Sequence, residues 1–447
     1  MAVIKPFRGI RYNPERISDL SSVVAQPYDR ITDALREQYY ALSPYNIARI
    51  IQGRPQPDDQ PENPQGPNVY TRAREYFQQW LEEGVLIRED APIFFAYEQQ
   101  FTVNGQPYTR LGLIAAVELV DFDEGIILPH ERTHAGPKAD RLRLLRTMET
   151  NTEQIFILYP DPENKINALI RQAIGNREPD MDVRDIWEQD VRQRVWIVRD
   201  PQIIAQIEAE MAPKRNLIIA DGHHRYSTGL TYRDEQRAKY PDAPPNAAFN
   251  FVQATLVSMD DPGLVVLPTH REIYNFTLTA PPQILQRAAE YFTDETVADL
   301  DACLAQVNAH PHGHAFGFYG GAETGFHVLT LKDAALIDKL IDDEHSEDWK
   351  RLAVSVLHKI LLDKIAQVPA HGIEDKTMIR YHRDPQLAVR HVDDGEGNFA
   401  FFLSATRMDQ IKAVAGRGEK MPQKSTDFYP KVISGISMLP VGPQERL

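Results

Sequence analysis

Short apolar runs alternate with amphipathic stretches along this chain, and polar clusters stand where the runs end. Ile93 to Gln100 and Gln106 to Val120 read as two strands joined by Asn104-Gly105, a pair suited to the positive backbone angles of a tight hairpin. Tyr70 to Glu83 reads as a helix with Tyr76, Phe77, Trp80 and Leu81 on its apolar face, after a Pro-, Gln- and Asp-rich loop from Gly53 to Pro67. Before that loop, Phe7 to Tyr12, Val23 to Asp29 and Ser43 to Ile50 read as short strands and turns around one helix. Further on, a helix is expected from about Asp140 and strands at Ile155 to Tyr159, Leu217 to Ala220, Phe249 to Met259 and Leu264 to Leu267. Pro281 to Ser346 alternates helix-like and strand-like runs, with a hairpin around Gly320-Gly321. Leu352 to Val368 reads as a helix and Phe399 to Leu403 as a buried strand. No fixed-period repeat is present.

This mixture predicts an α+β fold. The chain has 447 residues, more than one hydrophobic core usually organises. Three parts are expected: an N-terminal α+β region at 1–120, a core with an insertion at 121–272, and a C-terminal α+β lobe at 273–447.

Composition narrows the function. A hydrophobic share of 42% with 25% charged residues is that of an ordinary globular protein. The net charge of -15 sets an unfavourable field against nucleic acid, so a small-molecule substrate is the expected partner. The single cysteine, Cys303, excludes an intramolecular disulfide and a cysteine-built zinc or iron–sulfur centre. The start of the sequence lacks an apolar leader region, and no apolar run approaches a membrane span, which leads us to expect a cytoplasmic protein.

Four polar clusters carry candidate chemistry. The foremost is Asp221-Gly222-His223-His224-Arg225, delivered by a buried-type strand to a helix start. Gly222 permits a tight turn, the helix N-terminus favours an anion, Asp221 suits a magnesium ion, and His223, His224 and Arg225 suit phosphate oxygens. The plain alternative is a capping aspartate beside a core histidine. His130, Glu131 and Arg132, with Lys138 and Asp140, form a second cluster in which a carboxylate beside cations is available as a base; a solvated charged loop is the alternative. Thr269-His270-Arg271 repeats the theme of a strand feeding a hydroxyl, an imidazole and a guanidinium, or else is a surface turn. Gln423-Lys424-Ser425-Thr426 with Lys431, after Gly416-Arg417-Gly418, resembles a phosphate-gripping loop in composition but lacks Walker A spacing. No G-x-S-x-G, H-E-x-x-H or kinase catalytic-loop signature occurs, and zinc at His130, Glu131 and His134 fits no standard spacing.

Taken in order, Phe7-Arg8-Gly9, Pro27-Tyr28-Asp29, Pro129 to Thr133, Gly136 to Arg141, Ala220 to Arg225, Pro268 to Arg271 and Met421 to Thr426 resemble the bacterial family called domain of unknown function 1015. The strand, Asp-Gly-x-His-Arg, helix arrangement is also similar, more distantly, to the nucleotide site of the ParB, sulfiredoxin and free-serine kinase superfamily. That resemblance implies a ParB/sulfiredoxin-like mixed core with additional α+β lobes. It implies Glu131 as the base for a substrate hydroxyl, with Asp140 or Asp29 as alternatives because about ninety residues separate Glu131 from Asp221. Asp221 becomes the metal-linked acid, and Gly222, His223, His224 and Arg225 the phosphate contacts. Lys138, Arg141 and Lys424 are the further cations expected at the donor, with His130, Thr269, His270 and Arg271 at the acceptor. The activity implied is a magnesium-dependent kinase making O-phosphoserine from free L-serine, with ATP, ADP or pyrophosphate as donor. A ParB-like nucleotide-binding regulator and a phosphohydrolase are the alternatives.

Overall fold

The computed structural model describes residues 1–131, 135–310 and 313–447. It is an α+β protein, and it divides into two units: Met1–Val265 with Pro430–Leu447, and Val266–Tyr429.

Nine described strands build the main sheet of the first unit. In chain order they are β1 (Ile4–Lys5), β2 (Phe94–Val103), β3 (Gln106–Glu118), β4 (Ile127–Pro129), β5 (Ile155–Tyr159), β6 (Met181–Arg184), β7 (Arg192–Val198), β8 (Leu217–Asp221) and β9 (Phe251–Ser258). They lie in the order β4-β8-β5-β9-β3-β2-β7-β6, with β1 added against β3. The β2–β3 hairpin turns at Asn104 and Gly105, whose φ angles of 50° and 74° are those the dipeptide predicts. Two neighbours run parallel, β4 with β8 and β5 with β9, and the remaining pairs are antiparallel. Central strands are buried on both faces, so they read as continuous apolar runs; β5 and the first four residues of β8 are wholly buried.

Two helices matter for the site: α1 (Ala135–Met148) and α2 (His223–Lys239). Helix α1 starts earlier than the expected Asp140, since a proline in the first turn, Pro137, lacks an amide that would have no acceptor there. The helix expected from Tyr70 is Val69–Glu82, started by Asn68, whose side chain accepts from the backbone N–H of Tyr70 and Thr71, both at 2.9 Å. It buries Phe77 and Trp80 in an N-terminal core with Tyr12, Tyr39, Leu144, Met148 and Met438. Ser43 to Ile50 departs from its expected strand-and-turn form: Ala48–Ile51 makes a helical turn that buries Ala48, Ile50 and Ile51. The closing segment returns to the first unit, pairing Leu439–Pro440 with Thr150–Asn151 and bridging Met438 to Ile10 and Ser434 to Ala25.

The second unit holds a six-stranded sheet of β10 (His270–Ile273), β11 (Phe292–Val297), β12 (Ala315–Tyr319), β13 (Phe326–Leu331), β14 (Ile379–His382) and β15 (Phe399–Phe402). Their order is β11-β13-β12-β15-β10-β14. The expected Gly320-Gly321 hairpin joins β12 to β13. The helix read over Leu352–Val368 begins as one α-turn, Ala353–Val356, and continues with π-type winding through Leu357–Ala366.

Candidate functional site

The parallel pairing of β4 with β8 organises the site. Leu217, Ile218 and Ile219 stand opposite Ile127, Leu128 and Pro129, so the residues that follow each strand emerge at the same end of the sheet. His130 and Glu131 therefore leave β4 beside the place where Asp221 leaves β8. Strand β5 runs antiparallel to β8, with Phe156 opposite Asp221, so Glu153 and Gln154, just ahead of β5, reach that same end. The register slips between Ile219 and Asp221, a bulge of the kind that re-aims a side chain at the end of a strand.

Gly222 follows with φ 89° and ψ 27°, a left-handed conformation that turns the chain from β8 into the 17-residue helix α2. A Cβ there would meet the Arg225 guanidinium at 3.1 to 3.2 Å, so glycine also makes room for that side chain. The Asp221 carboxylate, a fifth exposed, accepts from the Gly222 N–H at 2.7 Å, and its other oxygen lies 3.2 Å from Lys431 Nζ. Arg225 Nη2 is 3.9 Å away. Burial pushes the Asp221 carboxyl up, but Lys431 and Arg225 outweigh it and hold the group well below the usual carboxylate range. Asp221 is thus an anion at neutral pH, a weak base and a good partner for cations.

His130 is fully buried, its Nδ1 2.7 Å from the Ile219 carbonyl oxygen. Its backbone N–H donates to His223 Nε2 at 3.4 Å, and the two rings meet edge to face at 4.7 Å. Burial lowers the His130 pKa against the opposing pull of Glu131, so the ring is neutral and its Nδ1 carries the proton given to Ile219. His130 and His223 tie the two strand ends together, and His224 lies next to them at the helix start, half-buried. Glu131 is half-buried, with no hydrogen bond or ion pair among the described residues. Arg132, Thr133 and His134 lie outside the described residues.

The arginines form a second layer. Arg225 donates to the Gln154 carbonyl and sits 3.9 Å from Glu153. Its Nε is buried without a partner among the described residues. Arg141 gives two bonds to Asp140, at 2.6 and 2.8 Å, one to the Ile51 carbonyl at 2.7 Å, and stacks 4.0 Å over Tyr28. Asp140, which also accepts from the Tyr70 hydroxyl at 2.7 Å, is thereby engaged on both oxygens. Glu153 accepts from the Tyr28 N–H at 3.0 Å and contacts Arg141 at 3.4 Å. Arg141, Glu153, Arg225, Thr228 and Asn151 line a cleft with about 390 Å³ of atom-free space, part of it open to solvent. Lys138 is half-buried one turn before Arg141, its carbonyl 3.4 Å from the Thr228 hydroxyl.

The remaining expected residues belong to the second unit. Thr269-His270-Arg271 is no surface turn: His270 and Arg271 open strand β10 and are 2% and 0% exposed. Arg271 donates to the Thr269 carbonyl and, at 2.8 Å, to the Lys424 carbonyl, so its charge fastens backbone. Burial and the neighbouring Arg271 push His270 down to about 3, which keeps it neutral. Lys424 is exposed with φ 55°. Two contributors stood out poorly in the sequence. Lys431 follows the Lys424 loop closely in sequence, whereas the structure puts it on Asp221. Glu153 follows no motif, and its only cue is its place just ahead of an apolar run.

No curated protein matches the chain. Among solved structures it is similar to a conserved hypothetical protein from Pyrococcus furiosus, at 12% identity over 69% of this chain and 88% of that one, with a TM-score of 0.32. It is similar also to a free serine kinase in complex with AMP, at 13% identity over 72% and 86% with the same TM-score. SbnI with a C-terminal truncation from Staphylococcus aureus shares 9% identity over 72% and 85%, again at 0.32. Likenesses this distant leave the reading of the site to its own residues. The family kinship is of another order: the model of the family described as protein of unknown function, DUF1015, matches residues 4–355, and the chain belongs to that family.

Proposed function

We propose that this protein transfers a phosphoryl group to the hydroxyl of a small molecule, free L-serine, from a nucleotide or pyrophosphate. The observation that carries the reading is the parallel β4–β8 pair, which brings the strand end that Glu131 follows to the same end of the sheet as Asp221 and the start of α2, with Arg225 and Lys431 around the Asp221 carboxylate. Phosphoryl transfer asks mainly for positioning and charge neutralisation, and this end of the sheet offers a carboxylate, two cations and a helix N-terminus.

In this scheme Glu131 takes the proton of the acceptor hydroxyl as its oxygen bonds to the terminal phosphorus, while the bridging P–O bond breaks and its electron pair leaves with the donor. Arg225, Lys431 and the first turn of α2 neutralise the equatorial oxygens, with His223 and His224 alongside. Lys138 and Arg141 add positive potential beside the cleft. Magnesium fits the donor set, because Asp221 is an ionised oxygen ligand that reaches solvent. When bound, the ion would neutralise donor phosphate charge. The choice of L-serine rests on the motif's similarity to the free-serine kinases, and the nucleotide donor has the same basis.

The test is incubation of the purified chain with L-serine, magnesium and, separately, ATP, ADP or pyrophosphate, with O-phosphoserine read by mass spectrometry. Product with one donor supports the kinase and names the donor. Free phosphate without phosphoserine would replace it with a phosphohydrolase, and nucleotide binding without turnover with a nucleotide-dependent regulator.

A further inference from the structure

In the second unit, two histidines and a glutamate distant in sequence converge on one face of the six-stranded sheet. Strands β10 and β14 run antiparallel with Glu272 opposite Arg380 and His270 opposite His382, so Glu272 and His382 are diagonal neighbours on the same face. The third residue, His391, comes from a helix, α3 (Pro385–Asp393), that packs on that face. Glu272 is fully buried, yet its Oε2 lies 2.6 Å from His382 Nε2 and 2.7 Å from His391 Nδ1. One ligand atom from each of the three side chains lies within 4.8 Å of the other two, and no other group among the described residues is arranged in this way.

We propose that Glu272, His382 and His391 form a binding site for a zinc-type divalent transition-metal ion. Two imidazoles and one carboxylate are the donor set that suits zinc and its neighbours rather than magnesium, and three protein ligands leave a position for water. The outer contacts agree. Arg380 Nη1 donates to Glu272 Oε1 at 2.6 Å, which directs Oε2 at the two rings. Arg380 itself is stacked 4.1 Å over Tyr274. The other ring nitrogen of His391, Nε2, is 3.9 Å from Glu396 Oε2, a carboxylate able to accept the ring proton when Nδ1 turns to a metal. Gly397 packs so closely that a Cβ would stand 2.8 Å from Glu272 Oε1, so the carboxylate is held from behind. His391 is 22% exposed, which supplies an entry path.

The competing arrangement is a metal-free cluster in which both rings hydrogen-bond to one carboxylate. Full-length protein stripped with EDTA is titrated with Zn2+ by calorimetry, and with Co2+, whose tetrahedral complexes show intense visible bands. One ion per chain is expected at this site, weakened more than about 100-fold in His391→Ala, beyond the 10–100-fold typical of losing an outer-shell partner. Asp221→Asn retains the ion. His391→Gln, on the same partly exposed helix face, serves if the alanine variant does not fold. No bound ion in the wild type, equal binding in the His391 variants, or loss of the ion in Asp221→Asn would each overturn the proposal.

Discussion

Lys431 Nζ stands 3.2 Å from Asp221 Oδ2, so the segment that returns to the first unit after Tyr429 supplies a cation to the carboxylate at the end of β8. The pair explains why a largely buried carboxylate stays ionised. It also places a lysine where the oxygens of a phosphoryl group would lie.

If Lys431 neutralises those oxygens, Lys431→Met lowers kcat/KM by about 100- to 1000-fold, the cost of losing one preorganised donor. The fold persists, because the ion pair reaches solvent. Activity within a few-fold of wild type, measured with whichever donor yields phosphoserine, would reduce Lys431 to a counter-ion.

Glu131→Gln is expected to cut turnover by about 100- to 10,000-fold, the usual contribution of a positioned base, with circular dichroism and melting temperature unchanged. Asp140 is occupied by Arg141 and Tyr70, so Asp140→Asn lowers stability more than turnover. The reverse pattern in the two variants would move the base to Asp140.

Asp221 predicts a pH signature. Its native pKa lies below the unfolded value of about 3.9, so ionisation stabilises the fold above that pH and the contribution is lost as pH falls through the native value. The gap in melting temperature between wild type and Asp221→Asn therefore stands open at neutral pH and closes below about pH 4. A gap that ignores pH would mean that the charge of Asp221 does not stabilise the fold.

Gly222→Ala places a Cβ in a left-handed conformation and against Arg225. The strain costs about 1–2 kcal/mol, readable in urea unfolding, and displacing the guanidinium weakens donor binding as well. Unchanged stability would show that the turn relaxes freely.

Arg271→Met removes a buried cation that fastens the Lys424 carbonyl. Hydrogen bonds to charged groups are worth about 1.5–3 kcal/mol, so the variant loses stability on that scale. A fall in turnover at unchanged stability would restore Arg271 as a substrate contact.

Much of this architecture could be read from the chain because its cues are local. Asn104-Gly105 makes a hairpin through the backbone freedom of its own residues, Asn68 starts its helix through amides two and three positions on, and Ile155 to Tyr159 is a strand because it is apolar throughout. The α+β class, the turn at Gly222 and the polar cluster opening α2 follow from the same short-range chemistry. Ser43 to Ile50 escaped it, since a four-residue helical turn that buries Ala48, Ile50 and Ile51 leaves too short a period to tell from a strand.

Strand pairing, bulges and long-range burial decided the rest, for they depend on which distant segments share water-free surface. Parallel register carried the strand end that Glu131 follows to the strand end that bears Asp221 across about ninety residues, and the returning tail brought Lys431. The sheet of the second unit buried His270 and Arg271, which the sequence left open between a substrate contact and a surface turn, and gathered Glu272, His382 and His391, whose spacing matches no motif. Residue type and near-neighbour spacing determine which chemistry the chain can offer; only the closing of loops over distant residues determines which groups meet, because that choice is made by burial of the whole sheet.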